Sequence, residues 1–284
     1  ESQKAARTYG EALHTIGAIL AESGSDVSPG KGRFQDWTKK NINICSGCKN
    51  DCLYCYMKPL GNWTKKTKQP TEWRNWELDD YRNVKVQKLF EGRVGFPSSH
   101  DIFPEILEPY LEVLGKLLRA GNDVLVVSKP RLDCIRGICD ACAFFKDKIL
   151  FRFTIGSNDD EILTFWEPNA PTYAERKECL AFAKERGFRT SVSIEPMLDT
   201  PRIEQLVKDL YPLVNDFIWL GMMSHLSHIK NWSNVEGFEA RKAIIEAGQT
   251  PEMLTAIYET FKDDPKVLWK TDTLKVITEH LNDL

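Results

Sequence analysis

The chain has 284 residues, 42% of them hydrophobic and 28% charged, with a formal net charge of −3. That balance describes a globular protein with a full core, one large domain or two ordinary ones, and excludes a surface that is basic all over. No apolar run reaches membrane-spanning length and no secretory pattern is expected at the start, so no membrane association is expected. Eight cysteines in a chain this long suit a reducing compartment better than a disulfide framework, and the expected setting is cytoplasmic.

In chain order, residues 3–21 repeat apolar positions at helical spacing through Tyr9, Leu13, Ile16, Ile19 and Leu20. A loop marked by Gly24, Pro29, Gly30 and Gly32 follows. Ile42 and Ile44 alternate with asparagines as a first strand that feeds a cysteine-rich loop. Five more strands are expected at 92–98, 123–128, 149–155, 189–194 and 216–221. Helices are expected between them at 104–120, 131–145, 172–186 and 201–213, then near 237–247 and 251–262. This alternation predicts an α/β protein built as a partial (β/α)6 barrel with extra helices at both ends. The division reads as an N-terminal helix and loop over 1–39, a barrel over 40–225 and a C-terminal helical extension over 226–284. Active sites of such barrels form where the strands end.

Four cysteines fall between Cys45 and Cys55. The spacing Cys48-x3-Cys52-x2-Cys55 lets three thiolates converge on a [4Fe–4S] cube and leaves one iron open to a chelator such as S-adenosylmethionine (SAM). The other reading is a structural zinc site, in which Cys45-x2-Cys48 and Cys52-x2-Cys55 close a tetrahedron across a short three-residue gap. Cys45 is then the discriminating residue: a zinc ligand, an alternative cluster ligand or a buried thiol behind the loop.

Cys48-x3-Cys52-x-Tyr54-Cys55, with an aromatic residue before the third cysteine, resembles the signature of the radical SAM enzymes. Shorter matches resemble the spore photoproduct lyase-like branch: Pro97-Ser98-Ser99-His100-Asp101-Ile102-Phe103-Pro104, Ser128-Lys129, and Glu167-Pro168-Asn169-Ala170-Pro171 followed by Arg176. The resemblance implies a partial barrel with the cluster on Cys48, Cys52 and Cys55, and Tyr54 near the adenine of SAM. It further implies reductive cleavage of SAM to a 5′-deoxyadenosyl radical that abstracts hydrogen from a substrate, with electrons from a flavodoxin or ferredoxin. In the lyase a cysteine after the second strand returns hydrogen to the product; alignment on Asp101 puts Ser98 there, so repair of thymine lesions is not expected. Cys45 and Cys134 are the other thiols that could reach that point.

From their positions at strand ends, Tyr54, Ser98, Asp101, Lys129, Ser157, Arg176 and Glu195 are the expected SAM contacts. Hydroxyls and carboxylates suit the ribose and amino group, and Lys129 or Arg176 suits the carboxylate. Thr154 and Ser193 are read as structural. Cys134, Cys139 and Cys142 share part of a ferredoxin spacing, yet their helical setting favours core packing, as it does for Cys179. His225 and His228, three apart after the last strand, are either a solvated pair or a proton-handling one. Residues 63–76 mix three tryptophans with four basic residues, which is either a lid over the cluster or a grip on nucleic acid. A zinc-stabilised nucleic-acid-binding protein is therefore the rival reading.

Overall fold

The computed structural model describes residues 37–60, 72–224, 226 and 235–283. The helix expected over 3–21 and its following loop, Trp63 with its neighbouring lysines, and His225 and His228 lie outside the described residues. The first elements are Lys40–Asn41 (β1), Cys45–Ser46 (β2), the single turn Met57–Leu60 (α1) and Glu77–Leu78 (β3), which pairs antiparallel with β2. Strands and helices then take turns: Val94–Gly95 (β4), Leu107–Arg119 (α2), Val124–Ser128 (β5), Leu132–Ala141 (α3) and Ile149–Thr154 (β6). Asp160–Trp166 (α4), Tyr173–Glu185 (α5), Arg189–Ile194 (β7), Ile203–Leu210 (α6) and Ile218–Leu220 (β8) follow. Phe238–Gly248 (α7), Pro251–Phe261 (α8), Val267–Trp269 (β9) and Thr271–Asp283 (α9) complete the described chain.

Seven strands form one parallel sheet in the order β1-β4-β5-β6-β7-β8-β9. Its central strands are buried on both faces, as a parallel sheet beneath helices requires. Local signals fix the helices. Thr172 caps α5 by accepting from the Glu175 amide, and Gly187, at φ +81°, ends it. On α2, Tyr110, Val113, Leu114, Leu117 and Leu118 form one apolar stripe against the sheet. Among the described residues no helix is long and apolar enough to cross a membrane.

The sheet curls. Register pairs Val127 with Arg152, Arg152 with Ser191, Ser193 with Trp219 and Trp219 with Leu268, so these side chains share a face. On that face Leu125, Leu150, Phe217, Trp219 and Leu268 cluster with Trp37, which precedes β1 at the opposite edge. The Trp37 and Trp219 rings meet edge-on at 5.6 Å, and only a strongly curved sheet brings them together. Arg152 fills the interior, its guanidinium 4.6 Å from Trp37 and 5.2 Å from Trp219, with Nε donating to Ser191 Oγ at 2.9 Å. Burial pulls its pKa down to about 9, with Asp216 opposing, so it is cationic at neutral pH. The strands therefore form an open barrel, with β1 and β9 as its free edges.

Three sequence expectations change. The segment 226–284, expected to be a helical extension, carries β9 into the sheet beside β8, because three residues are too few to show strand periodicity. The helix expected over 131–145 ends at Ala141 and gives way to 3-10 turns over Ala143–Lys148. The first strand lies at Lys40–Asn41, with the Ile42 amide extending its ladder to Gly95 O at 2.9 Å.

Candidate cofactor site at the strand ends

The cysteine loop leaves the sheet between β1 and β4 and closes on itself through backbone constraints. Gly47 sits at φ +89°, and a Cβ there would lie 2.6 Å from Trp73 O, the carbonyl that accepts from the Cys48 amide at 2.9 Å. No other residue type fits that approach. Asp51 is also left-handed, at φ +50°, and the buried Lys58 reaches it with Nζ 3.0 Å from Asp51 O and 2.6 Å from Oδ1. The Leu53 amide donates to Trp166 O at 2.8 Å, tying the loop to the end of α4. Cys48, Cys52 and Cys55 consequently line one cavity of about 200 Å³ at the carboxyl ends of the strands. Cys45 does not line it: this thiol packs with Phe103, Ile106 and Trp76 behind the loop and points to Gly47 O at 3.6 Å.

Asp101 organises one wall. Its amide donates to Cys48 Sγ at 3.4 Å, and its carboxylate accepts from Asn50 Nδ2 (2.9 Å), Ser128 Oγ (3.1 Å), the Lys129 amide (2.7 Å) and Lys129 Nζ (3.4 Å). Burial resists the carboxylate charge, but Lys129 and these donors outweigh it and hold the group ionised. Burial also opposes the Lys129 ammonium, and Asp101 together with Cys52, Tyr54 and Glu167 more than restores it. Beside them His100 accepts from the Ile44 amide on Nε2 at 3.3 Å, so its proton lies on Nδ1, which donates to Asp101 O at 3.0 Å.

Tyr54 lines the same cavity, with the Lys129 ammonium 5.6 Å from its ring centre. Its hydroxyl donates to Glu167, whose other oxygen lies 2.5 Å from Arg176 in a fully buried pair. Arg176 is thereby occupied: it also donates to Pro171 O (2.8 Å) and Thr154 O (3.3 Å) and lies outside the cavity lining. This expected SAM contact is thus placed against Glu167, the anchor of Tyr54, rather than in the cavity lining. Ser157 likewise lies outside the cavity lining, buried, where it accepts from the Asp159 amide at 3.0 Å.

Ser98, Asp101, Lys129 and Glu195 all line the cavity, Glu195 with Lys270 Nζ 3.6 Å away. So do Thr154 and Ser193, which sequence reasoning read as structural, Trp73, from the segment read as a lid or a grip on nucleic acid, and Trp37, His100, Met222 and Met223, which it did not assign. The usable signal was strand alternation: Leu125, Val127 and Lys129, like Leu150, Arg152 and Thr154, or Ser191, Ser193 and Glu195, step up the inner face at every second position. Trp73 is buried in the cavity wall and Trp76 packs on Phe103 at 4.9 Å, so these two rings are not displayed for stacking on bases. Cys134, Cys139, Cys142 and Cys179 are core residues beneath α3 and α5, and burial raises the Cys134 and Cys139 thiols to about 12.

The donor set suits a multi-iron centre. Burial lifts all three cavity thiols, Cys52 to about 12, so thiolates persist there only against a strongly cationic group. A tetrahedral zinc site needs Cys45 as its fourth ligand, and Cys45 faces the other way. Among the described residues no three His, Cys, Asp or Glu side chains converge as a single ion requires. Three thiols lining one cavity are the donor set that a [4Fe–4S] cluster would use.

No family model matches the chain. It is 24% identical over 205 residues to the uncharacterized protein ORF301 of Acidianus two-tailed virus, covering 68% of this chain and 66% of that protein. In fold it is similar to spore photoproduct lyase complexed with dinucleoside spore photoproduct, at 14% identity and TM-score 0.43 over 64% of this chain and 55% of the lyase. It is also similar to Streptococcus suis SuiB bound to S-adenosylmethionine, at 10% identity and TM-score 0.48 over 79% of this chain and 48% of SuiB. The chain thus spans about half the length of these structures.

Proposed function

We propose that this protein is a radical SAM enzyme. The carrying observation is that Cys48, Cys52 and Cys55 face one cavity at the strand ends while Cys45 faces away from it. Cys48, Cys52 and Cys55 would hold a [4Fe–4S] cluster there, and with SAM bound beside it that group would supply reductive cleavage to a 5′-deoxyadenosyl radical able to take hydrogen from a substrate. The chain's own residues bind and orient. Tyr54, fixed through Glu167, offers a ring face to an adenine. Lys129 and Asp101 present a paired charge to the zwitterionic end of SAM, and Ser98, Thr154, Ser193 and Glu195 offer hydroxyl and carboxylate partners. Trp37, Trp73 and the two methionines exclude water from the interior. The electron comes from an external donor of the flavodoxin or ferredoxin kind. The substrate is a separate molecule admitted at the strand ends.

The test is anaerobic reconstitution with iron and sulfide. The protein is expected to take up about four irons and four sulfides, and with dithionite to convert SAM slowly to 5′-deoxyadenosine. Replacing Cys48, Cys52 or Cys55 with alanine should abolish both, whereas Cys45→Ala should preserve them. Stoichiometric zinc in the protein as isolated, or equal loss in Cys45→Ala, defeats the reading.

A further inference from the structure

A buried lysine has no role in the account above. Lys58 is 1% exposed at the start of the chain beyond the third cysteine, and its ammonium reaches back seven residues to Asp51. It makes two contacts there: the ion pair with Oδ1 at 2.6 Å and the hydrogen bond to the main-chain carbonyl at 3.0 Å. Asp51 immediately precedes Cys52 and, at φ +50°, is the residue on which the loop reverses. At the other end the Lys58 amide donates to Cys55 O at 3.2 Å. One residue therefore holds the segments on both sides of two of the three candidate ligands. A lysine taken so far out of water persists because the carboxylate compensates it.

Resting on the cluster assignment above, we propose that Lys58 and Asp51 form a charge-neutral clamp that both shapes the ligand loop and sets the reduction potential of the cluster. Reduction adds one negative charge to the cluster, so a fixed positive charge nearby favours the reduced form and a fixed negative charge disfavours it. In a poorly hydrated loop such charges act with little screening. As a pair, Lys58 and Asp51 largely cancel. Removing either changes the fixed charge beside Cys52 and Cys55 by one unit, in opposite directions.

The two charges make predictions of opposite sign, which a purely structural clamp does not. The protein is reconstituted anaerobically, its iron and sulfide measured, and its midpoint potential found by dithionite titration monitored by electron paramagnetic resonance. Lys58→Met is expected to shift the potential to more negative values. Asp51→Asn, which tolerates the left-handed backbone, is expected to shift it to more positive values. The double variant should return towards the parent. Shifts of the same sign in both single variants, or none in variants that keep a full cluster, overturn the proposal. If Lys58→Met loses its cluster, Asp51→Asn alone decides: a positive shift supports the clamp and an unchanged potential sinks it. A parent protein that takes up no cluster fails the enzyme assignment instead, and the metal analysis reports that before any titration.

Discussion

His100 shows how a single side chain links the site to pH. It is neutral, buried, and uses both ring nitrogens, one accepting from Ile44 and the other donating to Asp101 O. Burial lowers its pKa from 6.5, with the Asp101 backbone hydrogen bond and the charges of Asp101 and Asp79 opposing. As pH falls through about 6.5 the unfolded chain takes a proton that the folded one refuses, so stability declines by at most about 1.4 kcal/mol per pH unit. Above that range the contribution is fully present. Denaturant midpoints at pH 7.5 and 5.5 should therefore differ, and His100→Gln, which keeps an acceptor for Ile44, should flatten the difference. Equal slopes in the two proteins would refute this. The residue scale also marks a limit of reading sequence. That Cys48, Cys52 and Cys55 share one cavity was legible because their spacing is local, and the place of Lys129 in it because Lys129 ends a strand. Arg176 and Ser157 misled because proximity to a strand end does not reveal which way a side chain turns. Arg176 turns to Glu167, nine residues earlier in the chain and fully buried.

Among the elements, the cysteine loop is the most demanding. Its path depends on Gly47, where an added Cβ would lie 2.6 Å from Trp73 O, so Gly47→Ala adds a clash to a left-handed backbone. The strain is on the order of 1–3 kcal/mol, and displacement of the Cys48 amide from Trp73 should follow. Reduced iron uptake together with a lower unfolding midpoint is the expected result; full uptake with an unchanged midpoint would contradict it. The larger elements were easier to foresee than the loop. Strands β5, β6 and β7 are buried runs of five or six residues and α5 has both its cap and its terminal glycine. By contrast, α4 is a seven-residue helix and β9 a three-residue strand, both too short for periodicity to declare them. The β2–β3 pair, two residues on each strand, joins segments more than thirty apart through the packing of Trp73 and Trp76 and had no local signal.

For the molecule as a whole, the cavity inventory bears on chemistry. Among the described residues the only thiols lining it are Cys48, Cys52 and Cys55, and all three are assigned to the cluster. Cys45 lies behind the loop and Cys134 in the core under α3, so neither supplies the hydrogen-donating thiol that sequence comparison found replaced by Ser98. Ser98 accepts from Asn43 at 3.0 Å, and a hydroxyl O–H bond is too strong to donate hydrogen as a thiol does. Incubated anaerobically with a dinucleoside spore photoproduct, SAM and dithionite, the protein should form 5′-deoxyadenosine without multiple-turnover release of thymine. Sustained release would show that another donor serves.

The meeting of Trp37 with Lys270 has a consequence for biosynthesis. The ammonium of Lys270 lies 4.1 Å from the Trp37 ring and 3.6 Å from Glu195, so two cavity-lining residues are backed by one more than 230 positions beyond the first of them. The cysteine loop leaves the ribosome early, but the interior it faces is completed only after β9 has emerged. At usual rates of about 5–20 residues per second, the three thiols wait exposed for roughly ten seconds or more. On the proposed cluster assignment, uptake of iron and sulfur is expected to follow emergence of β9, and a nascent chain stalled before Val267 should recruit no cluster.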